Sequence, residues 1–147
     1  MTSQTGTELR LERRLKAPAE AVFAALTSEA AVARWFGPSD DFEVKVHEWD
    51  CRLGGRYRVE FVTPSGEHHI VMGEFNALEP NQTVAYTWSW EGQPPIETVV
   101  TFRIEGGEVE SRLRFSHEGF PGEEMRDHHL TGWSGSMDRL ERELEGS

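Results

Sequence analysis

One long helical pattern closes this chain, after a stretch of strands and turns that contains no helix. Between Phe42 and His117, apolar residues alternate with polar ones, and turn-forming segments such as Pro64-Ser65-Gly66 interrupt the alternation. About six strands with such short connections are typical of an antiparallel meander. Because a lone helix must bury its apolar stripe, we expect it to lie on one face of this sheet.

Three elements precede the meander. Leucines alternate with charged residues over Glu8–Lys16, which predicts a strand with one solvent-exposed face. Pro18 suits the first turn of a helix, and Thr27 or Ser28 can cap a second short helix. That second helix is expected to end at Gly37-Pro38, because proline cannot continue it.

The length of 147 residues suits one domain with a single core. Residues 1–7 are small and polar, and we expect them to form a disordered tail. Residues 8–147 then form one α+β domain, with the order strand, two short helices, meander and long helix.

The meander presents one aromatic face. Alternate residues of a strand share a side, so Tyr86, Trp88 and Trp90 project together, and Phe102 and Phe115 continue the set on later strands. These rings either fill the core or line a gap, and both interpretations stay open.

The closing helix supplies the opposite wall. Met125, His129, Trp133 and Met137 recur at four-residue steps, which places them on one stripe. Gly132 lies near this stripe, and a close approach of helix to sheet would explain a glycine there. The side chains predicted to line a ligand pocket are Trp35, Phe36, Tyr57, Phe61, Met72, Tyr86, Trp88, Trp90, Phe102, Phe115, His129, Trp133 and Met137.

Catalytic chemistry has little support in the sequence. His129 is the candidate acid–base group, on the condition that it faces a water-poor cavity. His69 and His129 can converge between sheet and helix, but no cysteine or carboxylate spacing accompanies them, so we predict no metal site. No motif for a cofactor is present, and none is expected.

Charge and cysteine content narrow the partners and the compartment. The formal charge of −11 repels phosphate backbones, which argues against nucleic-acid binding. The single cysteine, Cys51, cannot form an internal disulfide and favours a reducing compartment. No apolar run is long enough for a signal peptide or a membrane span, so we expect a cytoplasmic protein with no membrane partner.

A series of short motifs over almost the whole chain resembles the START-like (SRPBCC) superfamily. The closer resemblance is to its bacterial branch related to the C-terminal domain of the activator of heat-shock protein 90 ATPase. The motifs include Arg34-Trp35-Phe36-Gly37, Gly54-Gly55-Arg56-Tyr57, Gly73-Glu74-Phe75, Tyr86-Thr87-Trp88, Ser116-His117-x-Gly119-Phe120 and His129-x-x-Gly132-Trp133-x-x-x-Met137.

The resemblance implies a helix-grip fold, in which a curved antiparallel sheet wraps around the C-terminal helix and leaves a cavity between them. Members of the superfamily bind lipids, hormones and polyketides, and some are cyclases or hydrolases. The eukaryotic activators carry an additional N-terminal domain, and at 147 residues no part of this chain is left over to form it. A chaperone partner is therefore not favoured.

Three functional hypotheses follow. The first is a protein that binds a small hydrophobic or aromatic molecule in the cavity, without catalysis. The second is a cyclase or hydrolase acting in the same cavity through His129 or a nearby carboxylate. The third is an interaction module that regulates a chaperone, which predicts a large exposed apolar patch. The oligomeric state is left open, with a homodimer as one alternative.

Overall fold

The computed structural model describes residues 2–5, 7–94 and 96–145. Within these ranges, eight strands form one antiparallel sheet, and three helices accompany it. In chain order the elements are β1 (Thr2–Thr5), β2 (Glu8–Leu15), α1 (Ala19–Thr27), α2 (Glu29–Trp35), β3 (Glu43–Trp49), β4 (Arg56–Val62), β5 (His68–Glu79), β6 (Thr83–Trp90), β7 (Thr98–Gly106), β8 (Ser111–Glu118) and α3 (Glu123–Glu145).

The strand order across the sheet is β1-β2-β8-β7-β6-β5-β4-β3. The meander therefore runs from β3 to β8, and the early strand β2 pairs with the last one, so that residues near both ends of the chain meet in the sheet. Helix α3 contacts α1, α2 and β2 and covers the inner face of the curved sheet. The predicted α+β fold, with two short helices and a long C-terminal helix, is confirmed.

The predicted disordered tail needs a correction. Met1 and Gly6 lie outside the described residues, but the backbone of Thr2–Thr5 forms β1 in register with β2. Main-chain hydrogen bonds do not require apolar side chains, which is why the polar composition of this segment did not indicate a strand. The extent of an independent domain over residues 8–147 stays a prediction.

Two tryptophans attach the short helices to the rest of the core. The hydroxyl of Ser28 accepts a hydrogen bond from the Ala31 amide and caps α2. The indole nitrogen of Trp35 donates to the carbonyl of Ala25, and that of Trp49 donates to the carbonyl of Thr27, both at 2.8 Å. The end of α2 is therefore held in place where the chain turns toward the helix–sheet interface.

The core is built from the alternation seen in the sequence. Tyr86, Phe102 and Phe115 are buried on three neighbouring strands, and Trp133 and Leu140 are buried on α3. Strand β7 begins at Thr98 and β8 at Ser111, with a hairpin turn between them. In the hairpin turn, the Val109 side chain is exposed.

A carboxylate between two histidines lies on the outer part of the sheet. Nε2 of His47 lies 2.7 Å from one oxygen of Glu60, and Nδ1 of His68 bonds the other oxygen. The hydrogen bonds from His47 and then His68 lower the pKa of Glu60 to about 2. These three residues come from β3, β4 and β5, so the cluster links three strands.

We expect Glu60→Gln to change the acid stability of the protein. A carboxylate whose pKa is lower in the folded than in the unfolded chain stabilises the fold above its unfolded pKa, and this stabilisation is lost as the pH falls through the folded value. The wild type should therefore lose stability between about pH 4.5 and pH 2 more steeply than the variant. Thermal melts across this range measure it, with Glu43→Gln on β3 as the control, and parallel curves for wild type and Glu60→Gln would contradict the prediction.

Candidate functional site

A cavity of about 740 Å³ lies between the sheet and α3 and opens to solvent. Its sheet wall consists of the side chains of Phe61, His69, Trp88 and Trp90. Its helix wall consists of Met125, His129, Gly132, Trp133 and Ser136. The volume falls within the range of small-molecule sites, about 300–1,000 Å³.

The connection from α2 to β3 and two loops complete the cavity. Phe36, Gly37, Pro38 and Phe42 form the side below α2. The rim carries Gln93 from the β6–β7 loop, Pro121 and Gly122 from the β8–α3 loop, and Glu124 and His128 from α3. The walls are mainly aromatic and the polar side chains concentrate at the rim.

The structure divides the predicted pocket residues into three groups. The residues that line the cavity are Phe36, Phe61, Trp88, Trp90, His129 and Trp133. The residues that are buried in the core and do not line it are Trp35, Tyr57, Tyr86, Phe102, Phe115 and Met137. Met72 belongs to neither group, and whether the lining residues hold a ligand stays a prediction.

The prediction is wrong for Met72, whose side chain is 39% exposed. Its neighbours Val71 and Phe75 are fully buried, and strand alternation places Met72 on the opposite face. Four of the six core residues, Tyr57, Tyr86, Phe102 and Phe115, share the inner face of the sheet with the cavity, but they lie where the helices fill the space. Which inner positions face a gap depends on where α3 crosses the sheet. The alternation of residues along a strand does not predict this position.

Gly132 does not mark a close approach, contrary to the sequence prediction. A Cβ atom built on Gly132 meets no atom within 4 Å beyond the local helix backbone, and this residue lines the cavity. The close contact lies one turn later, at Gly135, where a Cβ atom would be 1.9 Å from the carbonyl oxygen of Pro38. The missing side chain of Gly132 therefore leaves room in the cavity, and that of Gly135 lets α3 touch the chain after α2.

His129 is held between a tryptophan and its own helix. The indole Nε1 of Trp90 donates to Nε2 of His129 at 3.0 Å. Nδ1 of His129 lies 2.9 Å from the carbonyl oxygen of Met125. Because an indole can only donate, Nε2 must be the unprotonated nitrogen, and Nδ1 carries the proton that the carbonyl accepts. The imidazole is therefore neutral, with both nitrogens occupied.

This arrangement bears on the catalytic hypothesis. Burial lowers the pKa of His129, against the opposing effect of the Met125 carbonyl, and the nearby His128 lowers it further. A general base needs a free lone pair, but Trp90 occupies the one that this ring offers. His129 acts on a cavity ligand as a base only if this bond is released, and the geometry instead suits a residue that positions Trp90.

A second indole–imidazole pair lies deeper and was not predicted from the sequence. Nε1 of Trp133 donates to Nδ1 of His117 at 3.0 Å, and Nε2 of His117 then donates to the hydroxyl of Thr98 at 2.6 Å. The Thr98 hydroxyl donates in turn to the carbonyl of Trp88 at 2.9 Å. Strand alternation after Leu113 does place His117 on the inner face, which is the one signal that would have indicated it.

The chain of hydrogen bonds fixes the neutral form of His117. Its side chain is fully buried, and this burial holds its pKa well below the usual range, with a further contribution from His129. The His117 and His129 rings lie 5.3 Å apart. Both histidines thus act as neutral connectors between α3 and the sheet.

Trp88 lies at the centre of these aromatic contacts with an unsatisfied donor. Its ring lies 5.0 Å from Trp133, 5.6 Å from Trp90 and 5.6 Å from His117. Among the described residues, its Nε1 is the one buried side-chain nitrogen or oxygen without a hydrogen-bond partner. An unsatisfied buried donor costs about 1–3 kcal/mol.

Other features bear on the remaining hypotheses. Over the ranges that the structure covers, no group of three or more histidine, cysteine or carboxylate side chains is arranged to hold a metal ion. In the same ranges, no helix has the length and apolarity that crossing a membrane requires. The exposed large apolar side chains found there are Leu53, Met72 and Val109, which lie on three separate segments.

The curved sheet, the long helix laid across it and the cavity between them define the class of protein: it is a helix-grip protein of the START-like superfamily. The chain belongs to the family described as Activator of Hsp90 ATPase homolog 1-like protein, which matches residues 16–145. The resemblance inferred from the sequence motifs is thus confirmed, and this fold is compatible with a ligand-binding domain.

Solved structures of bacterial proteins agree with this assignment. The AHSA1 protein from Silicibacter pomeroyi is 30% identical with a TM-score of 0.84, and the match covers 94% of this chain and 97% of that one. A protein from Chromobacterium violaceum is 29% identical with a TM-score of 0.82 and the same coverage. A protein from Arthrobacter aurescens, 16% identical, shares the fold with a TM-score of 0.87, over 100% of this chain and 92% of its own. A search of curated proteins found no match.

Proposed function

We propose that this protein binds a small hydrophobic or aromatic molecule in the cavity between the sheet and α3. The observation that carries the proposal is the cavity itself, about 740 Å³ in volume with mainly aromatic walls. A core would normally fill such a space, because interiors are close-packed. Here Gly132 contributes no side chain on the helix wall. A bound apolar molecule would replace the packing contacts that the empty space lacks.

The chemical character of the cavity walls supports the same function. His129, on the helix wall, is neutral and bonded to Trp90, so it presents an uncharged ring to the cavity. The rest of the lining is mainly aromatic, with Phe61, Trp88 and Trp90 on the sheet wall. These features favour binding of an aromatic molecule with few polar atoms over binding of a sugar or a nucleotide.

Gly132→Leu tests the proposal by filling the cavity. We expect the affinity for the fluorescent apolar probe N-phenylnaphthylamine to fall at least about tenfold, because the leucine side chain occupies the space opposite the aromatic wall. The melting temperature should stay the same or rise, since leucine favours a helix over glycine by close to 1 kcal/mol. Fluorescence titration and a thermal melt measure the two effects.

The control is Thr131→Leu, which adds a leucine to the exposed face of α3 one position earlier. It should bind the probe like the wild type. The proposal fails if wild-type protein binds neither the probe nor any other apolar aromatic compound. It also fails if Gly132→Leu binds as tightly as the control, because the probe would then occupy another site.

A further inference from the structure

We propose that the cavity accepts uncharged or cationic aromatic molecules and rejects anionic ones, a selectivity that rests on the ligand-binding function proposed above. The observation is the charge of the lining. Among the described residues that line the cavity there is no lysine or arginine, and the one formally charged side chain is the carboxylate of Glu124. A site for carboxylates or sulfonates normally supplies a cation or several free donors.

One candidate for such a cation, Arg139, is occupied elsewhere. The guanidinium of Arg139 lies behind the cavity lining at Phe36 and Gly37, bonded to the carbonyl oxygens of Phe36, Gly37 and Arg34. Its remaining partner is the carboxylate of Asp40 at 3.1 Å. This arginine therefore fastens α3 to the end of α2, and it is not among the groups that a ligand would meet.

The helix N-terminus at the rim does not provide an anion site either. The first turn of a helix attracts anions through its free N–H groups and its dipole. In α3, however, Glu123 and Glu124 already lie in the first turn. Their charges offset the positive end of the helix before any ligand arrives. The overall charge of −11 adds a repulsion of the same sign at longer range.

The aromatic walls of the cavity favour a positively charged ligand. The faces of aromatic rings carry partial negative charge and attract cations, most strongly for tryptophan. Trp88 and Trp90 lie on the sheet wall, and Trp133 lies on the helix wall. A buried anion would lose its hydration without gaining an ion pair, whereas a neutral aromatic molecule loses little and a cation gains contacts with the rings. The aromatic wall and the acidic rim thus select in the same direction.

Three probes with one ring system test this selectivity: naphthalenemethanol, naphthylmethylammonium and naphthoate. Each is titrated against protein loaded with N-phenylnaphthylamine at about pH 8, where imidazole side chains in general are uncharged. We expect the alcohol and the ammonium compound to displace the probe, and naphthoate to bind at least about tenfold more weakly than the alcohol.

Glu124→Lys should weaken the discrimination against anionic ligands. It places a cation beside the opening, and we expect naphthoate to bind about five- to tenfold more tightly than to wild type. Glu79→Lys changes the net charge by the same amount at the opposite end of β5 from His69, and it should leave naphthoate binding unchanged. Comparison of the two variants distinguishes the effect of a charge at the rim from the effect of the net charge of the protein.

The outcomes distinguish this proposal from the one on which it rests. If none of the probes displaces N-phenylnaphthylamine and the fluorophore itself does not bind, ligand binding in the cavity is wrong. If all three compounds bind with similar affinity, binding stands and the charge selectivity is wrong. An equal gain of naphthoate affinity in Glu124→Lys and Glu79→Lys would overturn the assignment of the selectivity to the rim.

Discussion

Replacing Gly135 by alanine is expected to destabilise the protein by roughly 2–4 kcal/mol, whereas the same replacement at Gly132 is expected to stabilise it by up to about 1 kcal/mol. Both residues lie on α3 within one turn of each other. The added methyl group is identical and so is the gain in helix propensity. The difference arises only from what each methyl group would contact.

At Gly135 the new Cβ atom would meet backbone, which cannot rotate away. Its ideal position is 1.9 Å from the carbonyl oxygen of Pro38. Relief requires α3 to move outward from the chain after α2, and this movement strains two sets of bonds. The hydroxyl of Ser136 donates to the carbonyl of Gly37 at 2.9 Å, and Arg139 donates to the carbonyl of Phe36.

Urea or thermal unfolding of the two variants measures the effect directly. Gly132→Ala serves as the matched control for Gly135→Ala, because both share the change in propensity. Equal stabilities of the two variants would mean that α3 does not lie against Pro38 as the structure has it. A loss of stability in Gly132→Ala would mean that the position is packed rather than open to the cavity.

Lowering the pH from about 7 to 5 is expected to destabilise the wild type with a slope that approaches about 1.4 kcal/mol per pH unit for His117 alone. The sign follows from the burial of the imidazole. Its pKa is well below the usual range in the folded protein, so in this window the unfolded chain takes up the proton and the folded protein does not. Stability is complete above the unfolded pKa and is lost as the pH falls below it.

His117→Gln isolates this contribution. The glutamine amide can accept from Trp133 and donate to Thr98, so the variant should keep most of the stability at pH 8 while its slope between pH 7 and 5 becomes shallower. His117→Ala, which also leaves the Trp133 indole unpaired, should lose roughly 3 kcal/mol at pH 8. Thermal melts at a series of pH values measure the stability at pH 8 and the slope between pH 7 and 5.

Identical slopes for wild type and His117→Gln would show that the protonation of His117 is not coupled to folding. His129 also has a lowered pKa and contributes a slope of the same sign. For this reason the difference between the two curves, and not the wild-type curve alone, carries the prediction.

The sequence predicted the order and type of most elements, because the signals are local. Alternation along β6 identifies Tyr86, Trp88 and Trp90 as one face without any knowledge of their partners. The same holds for the stripe of α3, where the spacing of His129 and Trp133 indicates the buried side. Strand β1 was missed, since its pairing with β2 rests on the main chain and not on a pattern of apolar residues.

The cavity itself was predictable only in part. Strand and helix periods assign residues to the inner face, but they do not distinguish the six positions that line a gap from those that are packed, such as Tyr86 and Phe102. Gln93 and Gly122 come from loops, where no periodic signal exists, and they were missed. The pairing of His117 with Trp133 was likewise missed, because it joins two elements whose relative position no local pattern describes.

The sequence by itself thus determined the fold class, the family and the inner aromatic face, since periodicity and motif order are properties of the chain alone. The tertiary structure decided which glycine touches backbone and which one opens the cavity. It also decided that both inner histidines are neutral and that the lining carries no cation among the described residues. These features depend on distances between residues far apart in the chain, and such distances are fixed only when α3 packs on the sheet.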